Sequence, residues 1–191
     1  MLALDMQKPY LLLEQYSCRQ MRVTEMAQKL LLVNPEKCTG CGTCETVCSL
    51  KHFGVCNPAQ SFIRALRYEK MGSYFFSVPA VCQQCQTPLC MDVCPVNAIQ
   101  PDSGTGAYLV DEKKCVGCRL CEMACPLGAI EVHPDKHVAM KCDLCDGEPM
   151  CVKFCLPGAL TYLSKEKIGF ARRREAIKKL SDRLTLIASG T

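Results

Sequence analysis

No tryptophan occurs among the 191 residues of this chain, and aromatic residues make up only 6% of it. A core built on large rings is excluded. Cysteine is counted in the 49% hydrophobic share; without it the share is about 40%, low for a globular core of this length. Long apolar runs are missing as well. No stretch approaches the roughly 18 apolar residues of a membrane span, and Leu11–Leu13 is too short for a signal h-region and follows no basic segment. With no twin-arginine signal near the start either, the expected setting is cytoplasmic and reducing, where dense cysteines are metal ligands more often than disulfides.

Signatures of catalysis are also absent. Three scattered histidines support no Ser-His-Asp arrangement. Gly104-Thr105-Gly106 is followed by neither a helix nor a P-loop lysine, so it reads as a turn. The spacing C-x3-C-x2-C does not occur, because Lys51, Asn97 and Gly128 stand where a cysteine would be needed. No substrate site is legible, and the chain is expected not to be an enzyme by itself.

What the chain has is cysteine, 18 in all, sixteen of them in four near-copies of one run. Motif one is Cys38, Cys41, Cys44, Cys48; motif two is Cys82, Cys85, Cys90, Cys94, followed by Pro95. Motif three is Cys115, Cys118, Cys121, Cys125, followed by Pro126; motif four is Cys142, Cys145, Cys151, Cys155. A short extended segment precedes each run: 30–33, 76–78, 107–110 and 137–140. A small-residue turn follows three of them, at 96–99, 127–130 and 156–160. Each copy therefore reads as strand, cysteine loop, short helix, turn and strand in one compact unit. Residues 130–138 read as a hairpin closed by Pro134-Asp135.

Disulfides would not require the same close triplet four times. Zinc ribbons bring two C-x2-C pairs together from separate hairpins and leave the fourth cysteine and its proline unexplained. A [4Fe-4S] cube explains both: cysteines at i, i+3 and i+6 wrap three corners, and the fourth, often before proline, serves a neighbouring cluster. With so few large apolar groups, such centres also act as staples for the loops. Sixteen thiolates and four cores of charge 2+ turn the formal net charge of +4 into about −4, which removes the main support for a nucleic-acid binder. All-cysteine ligation points to low-potential chemistry.

Motifs one and three match the bacterial ferredoxin run, whereas motifs two and four have wider third gaps. That set resembles the four-cluster electron-transfer subunits of dimethyl-sulfoxide-reductase-like enzymes over about residues 30–163. CSLKHFGVCNPAQSFIRA and CQQCQTPLCMDVCPVNAI resemble the small subunits accompanying tungsten aldehyde:ferredoxin-type oxidoreductases and the related subunit of the benzoyl-CoA-reducing complex. The resemblance implies an α+β fold of two nested bacterial-ferredoxin-like lobes with helical terminal extensions. It implies a catalytic oxidoreductase partner of tungsten or molybdenum type, with a further flavin or ferredoxin electron partner. It also implies nested pairing of the motifs. One cluster takes Cys38, Cys41, Cys44 and Cys155, and a second takes Cys142, Cys145, Cys151 and Cys48. A third takes Cys82, Cys85, Cys90 and Cys125, and the fourth takes Cys115, Cys118, Cys121 and Cys94. Some relatives have tryptophan in place of the second cysteine of motif three; Cys118 stands there, so four [4Fe-4S] clusters are expected. Leu156 separates Cys155 from Pro157, a departure that touches no ligand.

The expected organisation is an extension over 1–29, a four-cluster domain over 30–163 and a basic amphipathic helix or tail over 164–191. Within the domain, the outer lobe is 30–75 plus 137–163 and the inner lobe is 76–136. Ile177, Leu180, Leu184 and Ile187 share one helical face, suited either to covering the domain or to docking a partner. Cys18, Cys56, His52, His133 and His137 are expected to lie outside the ligand sets. The function expected is that of an electron-transfer subunit. The alternatives are a freely diffusing polyferredoxin, a partner of a hydrogenase, formate dehydrogenase or carbon monoxide dehydrogenase, and a zinc-based interaction module.

Overall fold

A computed structural model describes residues 28–70 and 74–188 of the chain. The extension and Cys18 lie outside the described residues, apart from its last two positions. The order is β1 (Lys29–Val33), α1 (Thr43–Phe53), β2 (Arg64–Lys70), β3 (Tyr74–Ala80), α2 (Leu89–Asp92), β4 (Ile99–Pro101), β5 (Tyr108–Val110), α3 (Leu120–Ala124), β6 (Ile130–Val132), β7 (Ala139–Lys141), α4 (Met150–Lys153), β8 (Leu160–Ser164) and α5 (Lys165–Ala188). The fold is α+β, with all strands among the described residues in two-stranded antiparallel ribbons: β1 with β8, β2 with β3, β4 with β5 and β6 with β7.

These pairings revise the picture of four self-contained units. The strand after motif two, β4, pairs with β5, which opens motif three, and β6 pairs with β7, which opens motif four. Three residues leave a strand too short to return past its own loop, so each unit closes on its neighbour. The last strand closes on the first: Leu31 lies opposite Tyr162 and Val33 opposite Leu160. Within 137–140 only Ala139 and Met140 are strand; His137 is left-handed, with φ 54°, and belongs to the turn.

Motif one departs from the others. Its helix runs eleven residues, to Phe53, where left-handed Gly54 stops it and donates its N–H to the Leu50 carbonyl. The β2–β3 hairpin then fills the stretch before motif two.

The apolar interior forms two clusters around the cysteines. One gathers Leu31, Ile63, Val81, Ala107, Leu144 and Leu160 with Cys48 and Cys151, and the other gathers Ile99, Ile130 and Ala139 with Cys121. Thiols thus supply packing that large rings supply elsewhere. Helix α1 packs on α4, and α2 on α3. Helix α5 is held through Asn34 Nδ2, which donates to Glu175 Oε1 at 2.5 Å, and through Lys179 Nζ to Glu36 Oε1 at 2.7 Å. Its opposite side exposes Phe170, Ile177, Leu180 and Leu184; Ile187 lies outside the described side chains. No helix among the described residues is long and apolar enough to cross a membrane.

Candidate metal centres

In all four motifs the residue two after the first cysteine has positive φ: Gly40 at 68°, Gln84 at 46°, Gly117 at 66° and Leu144 at 63°. A left-handed residue there reverses the chain, so that cysteines three apart face a common centre. Three residues after the last cysteine of motifs two, three and four the feature recurs, at Asn97, Gly128 and Gly158. Only glycine adopts this conformation freely; other residues are strained by roughly 1–2 kcal/mol each. Leu144, Cys145 and Asp146 adopt it in succession. Strain of this kind persists where the surroundings fix it, and it concentrates at functional sites. Gly117 has no substitute on steric grounds, because a Cβ there would lie 2.3 Å from the His137 carbonyl oxygen.

Four cavities result, each lined by three cysteines of one motif and one of another. Cys38, Cys41, Cys44 and Cys155 line a cavity of about 330 Å³. Cys142, Cys145, Cys151 and Cys48 line one of about 350 Å³. Cys82, Cys85, Cys90 and Cys125 line the largest, about 610 Å³. Cys115, Cys118, Cys121 and Cys94 line another of about 330 Å³. The exchange follows the packing: α1 against α4 brings Cys48 to the loop of motif four, and α2 against α3 brings Cys94 to that of motif three. No disulfide joins the described cysteines, and Cys56 is exposed, lining none of the four.

The sulfurs receive hydrogen bonds as well. The N–H of Phe62 points at Cys48 Sγ at 3.3 Å, that of Ala98 at Cys94 Sγ at 3.3 Å, that of Ala129 at Cys125 Sγ at 3.4 Å and that of Ala139 at Cys115 Sγ at 3.4 Å. Such donors suit sulfur that carries negative charge.

Without a counter-charge, seven of the sixteen thiols hold their protons more firmly than a free cysteine. Burial, with the Glu45 carboxylate alongside, pushes Cys44 up to about 12. Burial and the neighbouring thiols Cys48 and Cys145 take Cys151 to about 12, and burial takes Cys121 to about 11. Cys142 is driven well above its ordinary value, and Cys48, Cys90 and Cys145 also rise, burial being the main cause in each. Cys41, at the surface, is lowered by hydrogen bonds from Thr43. Thiols grouped in fours, several of them disfavoured as anions by burial and then by one another, fit a cationic core that replaces their protons.

One histidine expected to lie outside the ligand sets stands beside a motif cysteine. His52 Nε2 lies 3.6 Å from Cys145 Sγ and 3.5 Å from Asp143 Oδ1, with its ring 4.3 Å from that of Phe62. The three groups could hold an ion together, but Cys145 already belongs to the second set of four. The cue in the sequence was His52 in the same helix as Cys48, one turn on. His133 serves the β6–β7 turn instead: its Nδ1 accepts the N–H groups of Asp135 and Lys136.

Residues 73–165 match the 4Fe-4S dicluster domain family, and residues 31–49 the 4Fe-4S binding domain family. The chain is 41% identical over 125 residues to the aliphatic sulfonate oxidoreductase polyferredoxin-like subunit of Pyrococcus furiosus, covering 65% of this chain and 70% of that one. It is 34% identical over 149 residues to the B subunit of the anaerobic dimethyl sulfoxide reductase of Escherichia coli, covering 68% and 70%. A subunit of the active site complex BamBC of benzoyl coenzyme A reductase aligns with a TM-score of 0.43 at 27% identity, covering 82% of this chain and 96% of that one. The chain therefore belongs to the family of iron-sulfur electron-transfer subunits that carry 4Fe-4S domains and serve oxidoreductase complexes.

Proposed function

We propose that the sixteen cysteines of the four motifs hold four [4Fe-4S] clusters in the sets that line the four cavities, and that the chain relays single electrons to or from a separate catalytic subunit. The observation that carries this is the grouping itself: four cavities, four thiols to each, none shared. Each cluster supplies a one-electron centre whose potential depends on hydrogen bonds, charge and exposure around it. The chain's own part is to supply the thiolates, exclude water and aim N–H groups at the sulfurs. The repeated close spacing, with a fourth thiol lent by another motif, favours a four-iron core over one zinc ion held by two C-x2-C pairs.

The division into an outer lobe of 30–75 plus 137–163 and an inner lobe of 76–136 is part of this reading, supported by the packing of α1 on α4 and α2 on α3; the two apolar clusters cross it, through Val81 and Ala107 in the first and Ala139 in the second. We assign the chain no catalysis of its own and a reducing, cytoplasmic setting. The partner is of tungsten or molybdenum type, as the stretches at 48–65 and 82–99 suggest. Helix α5 supports a bound subunit over a freely diffusing carrier, since its exposed apolar stripe lies among eight basic and three acidic residues and suits an apolar groove with an acidic rim.

Anaerobic purification with iron and acid-labile sulfide analysis tests the assignment. About sixteen of each per chain are expected. A colourless protein with stoichiometric zinc would overturn it.

A further inference from the structure

Lys141 is buried, with 5% of its surface exposed, yet its ammonium has no carboxylate partner among the described residues. Its Nζ donates to Gln84 Oε1 at 2.9 Å, to the Tyr108 carbonyl at 3.0 Å and to the Cys142 carbonyl at 3.5 Å, and sits 5.6 Å from the centre of the Tyr108 ring. None of the ion pairs among the described residues includes it. Gln84, itself buried, is locked in place: its Oε1 also accepts the Tyr108 N–H at 3.0 Å, and its Nε2 donates to the Cys142 carbonyl at 2.8 Å. These contacts solvate the charge but do not neutralise it, and a buried ammonium without a counter-charge is strongly disfavoured.

The missing negative charge is next to it. Lys141 lines the cavity of Cys82, Cys85, Cys90 and Cys125. We infer that Lys141 is the built-in counter-charge of the centre held by those four thiolates, and that it raises the reduction potential of that centre above those of the other three. This rests on the ligand sets proposed above. The reduced centre carries one more negative charge than the oxidised one, so a fixed positive charge in a water-poor setting favours reduction.

The other cavities lack an equivalent among the described residues. Arg119 lines the cavity of Cys115, Cys118 and Cys121, but its side chain is 58% exposed and faces Glu122 at 3.8 Å, so solvent and a carboxylate both weaken its field. The cavities of motifs one and four are lined by neither lysine nor arginine. Because Lys141 precedes Cys142 and bonds to its carbonyl, it stands between the second and third sets of cysteines. An electron arriving in this chain would then settle first at the centre beside it.

The test is an EPR-monitored redox titration of the anaerobically purified full chain, with iron content measured on each sample. Lys141→Gln keeps a hydrogen-bond donor and removes the charge; Lys141→Met removes both; Lys141→Arg keeps the charge. With iron content unchanged, the two neutral variants should lower one midpoint by at least 59 mV, a tenfold change for one electron, and the arginine variant should retain it. The centre that moves should be the one lost in Cys90→Ala. Loss of that one centre in both neutral variants, with retention in Lys141→Arg, gives the same answer. Unchanged midpoints with full iron content would overturn the inference while leaving the clusters in place, as would loss of the centre in all three variants. Wild-type protein without iron would instead overturn the ligand assignment itself.

Discussion

Gly117→Ala puts the backbone geometry of the cysteine loops under test. Gly117 sits between Cys115 and Cys118 at φ 66°, and an added Cβ would come to 2.3 Å from the backbone oxygen of His137. Two costs follow. A left-handed alanine is disfavoured by about 1–2 kcal/mol. The clash is with backbone, which no side-chain rotation relieves, so the turn carrying His133 and His137 must shift, costing about 1–3 kcal/mol more. The total is roughly 2–5 kcal/mol, which for a chain of this size corresponds to a fall on the order of 10 °C in the unfolding midpoint. The damage should be local: the Ala139 N–H that reaches Cys115 Sγ lies two residues past the displaced oxygen. The assay is anaerobic thermal unfolding with visible bleaching at a fixed scan rate, alongside iron content. The expected result is earlier bleaching and loss of about four irons of sixteen. Arg119→Gly is the control, since it relieves a left-handed residue and should leave the protein as stable or more so. A Gly117→Ala protein with wild-type iron and wild-type midpoint would show that the loop does not need a left-handed glycine there.

Two further outcomes follow from the same geometry. Cys44 and Cys151 hold their protons to about pH 12 and Cys121 to about 11 when no cation is present, and metal takes the thiolate, so reconstitution of the cluster-free chain should release close to one proton per such thiol at neutral pH and strengthen as pH rises; a dye-based proton count showing none would contradict it. Ile177→Glu combined with Leu180→Glu on α5 should leave iron content unchanged and abolish co-elution with the catalytic subunit on size exclusion; co-elution at wild-type levels would remove α5 from the interface.

Much of this arrangement is written in the sequence because cysteine spacing is a geometric statement: C-x2-C allows one reversal, and Pro134-Asp135 closes a hairpin that the structure shows as β6 and β7. The left-handed positions were half hidden. Gly40 and Gly117 advertise them, whereas Gln84 and Leu144 take the same backbone shape with ordinary side chains, held there by the packing and polar contacts of the folded chain. Long-range pairing was less legible still. Nothing local to three-residue strands says which neighbour they join, and only the assembled fold sets β4 against β5 instead of against its own motif. The helix of motif one outran expectation because its stop, Gly54, lies six residues past Cys48. Lys141 reads as a surface residue in the sequence, since lysine is almost never buried unpaired, and its compensating charge comes from cysteines up to 59 positions away.

The exchange of cysteines between motifs is the centre of the account, and three variants test it directly. EPR spectra of reduced Cys44→Ala, Cys155→Ala and Cys48→Ala are compared under identical anaerobic conditions. Cys44→Ala and Cys155→Ala, 111 residues apart in the chain but lining one cavity, should lose or convert the same [4Fe-4S] signal, and Cys48→Ala, four residues from Cys44, should affect a different one. Loss of one signal in common by Cys44→Ala and Cys48→Ala, with Cys155→Ala affecting another, would contradict it.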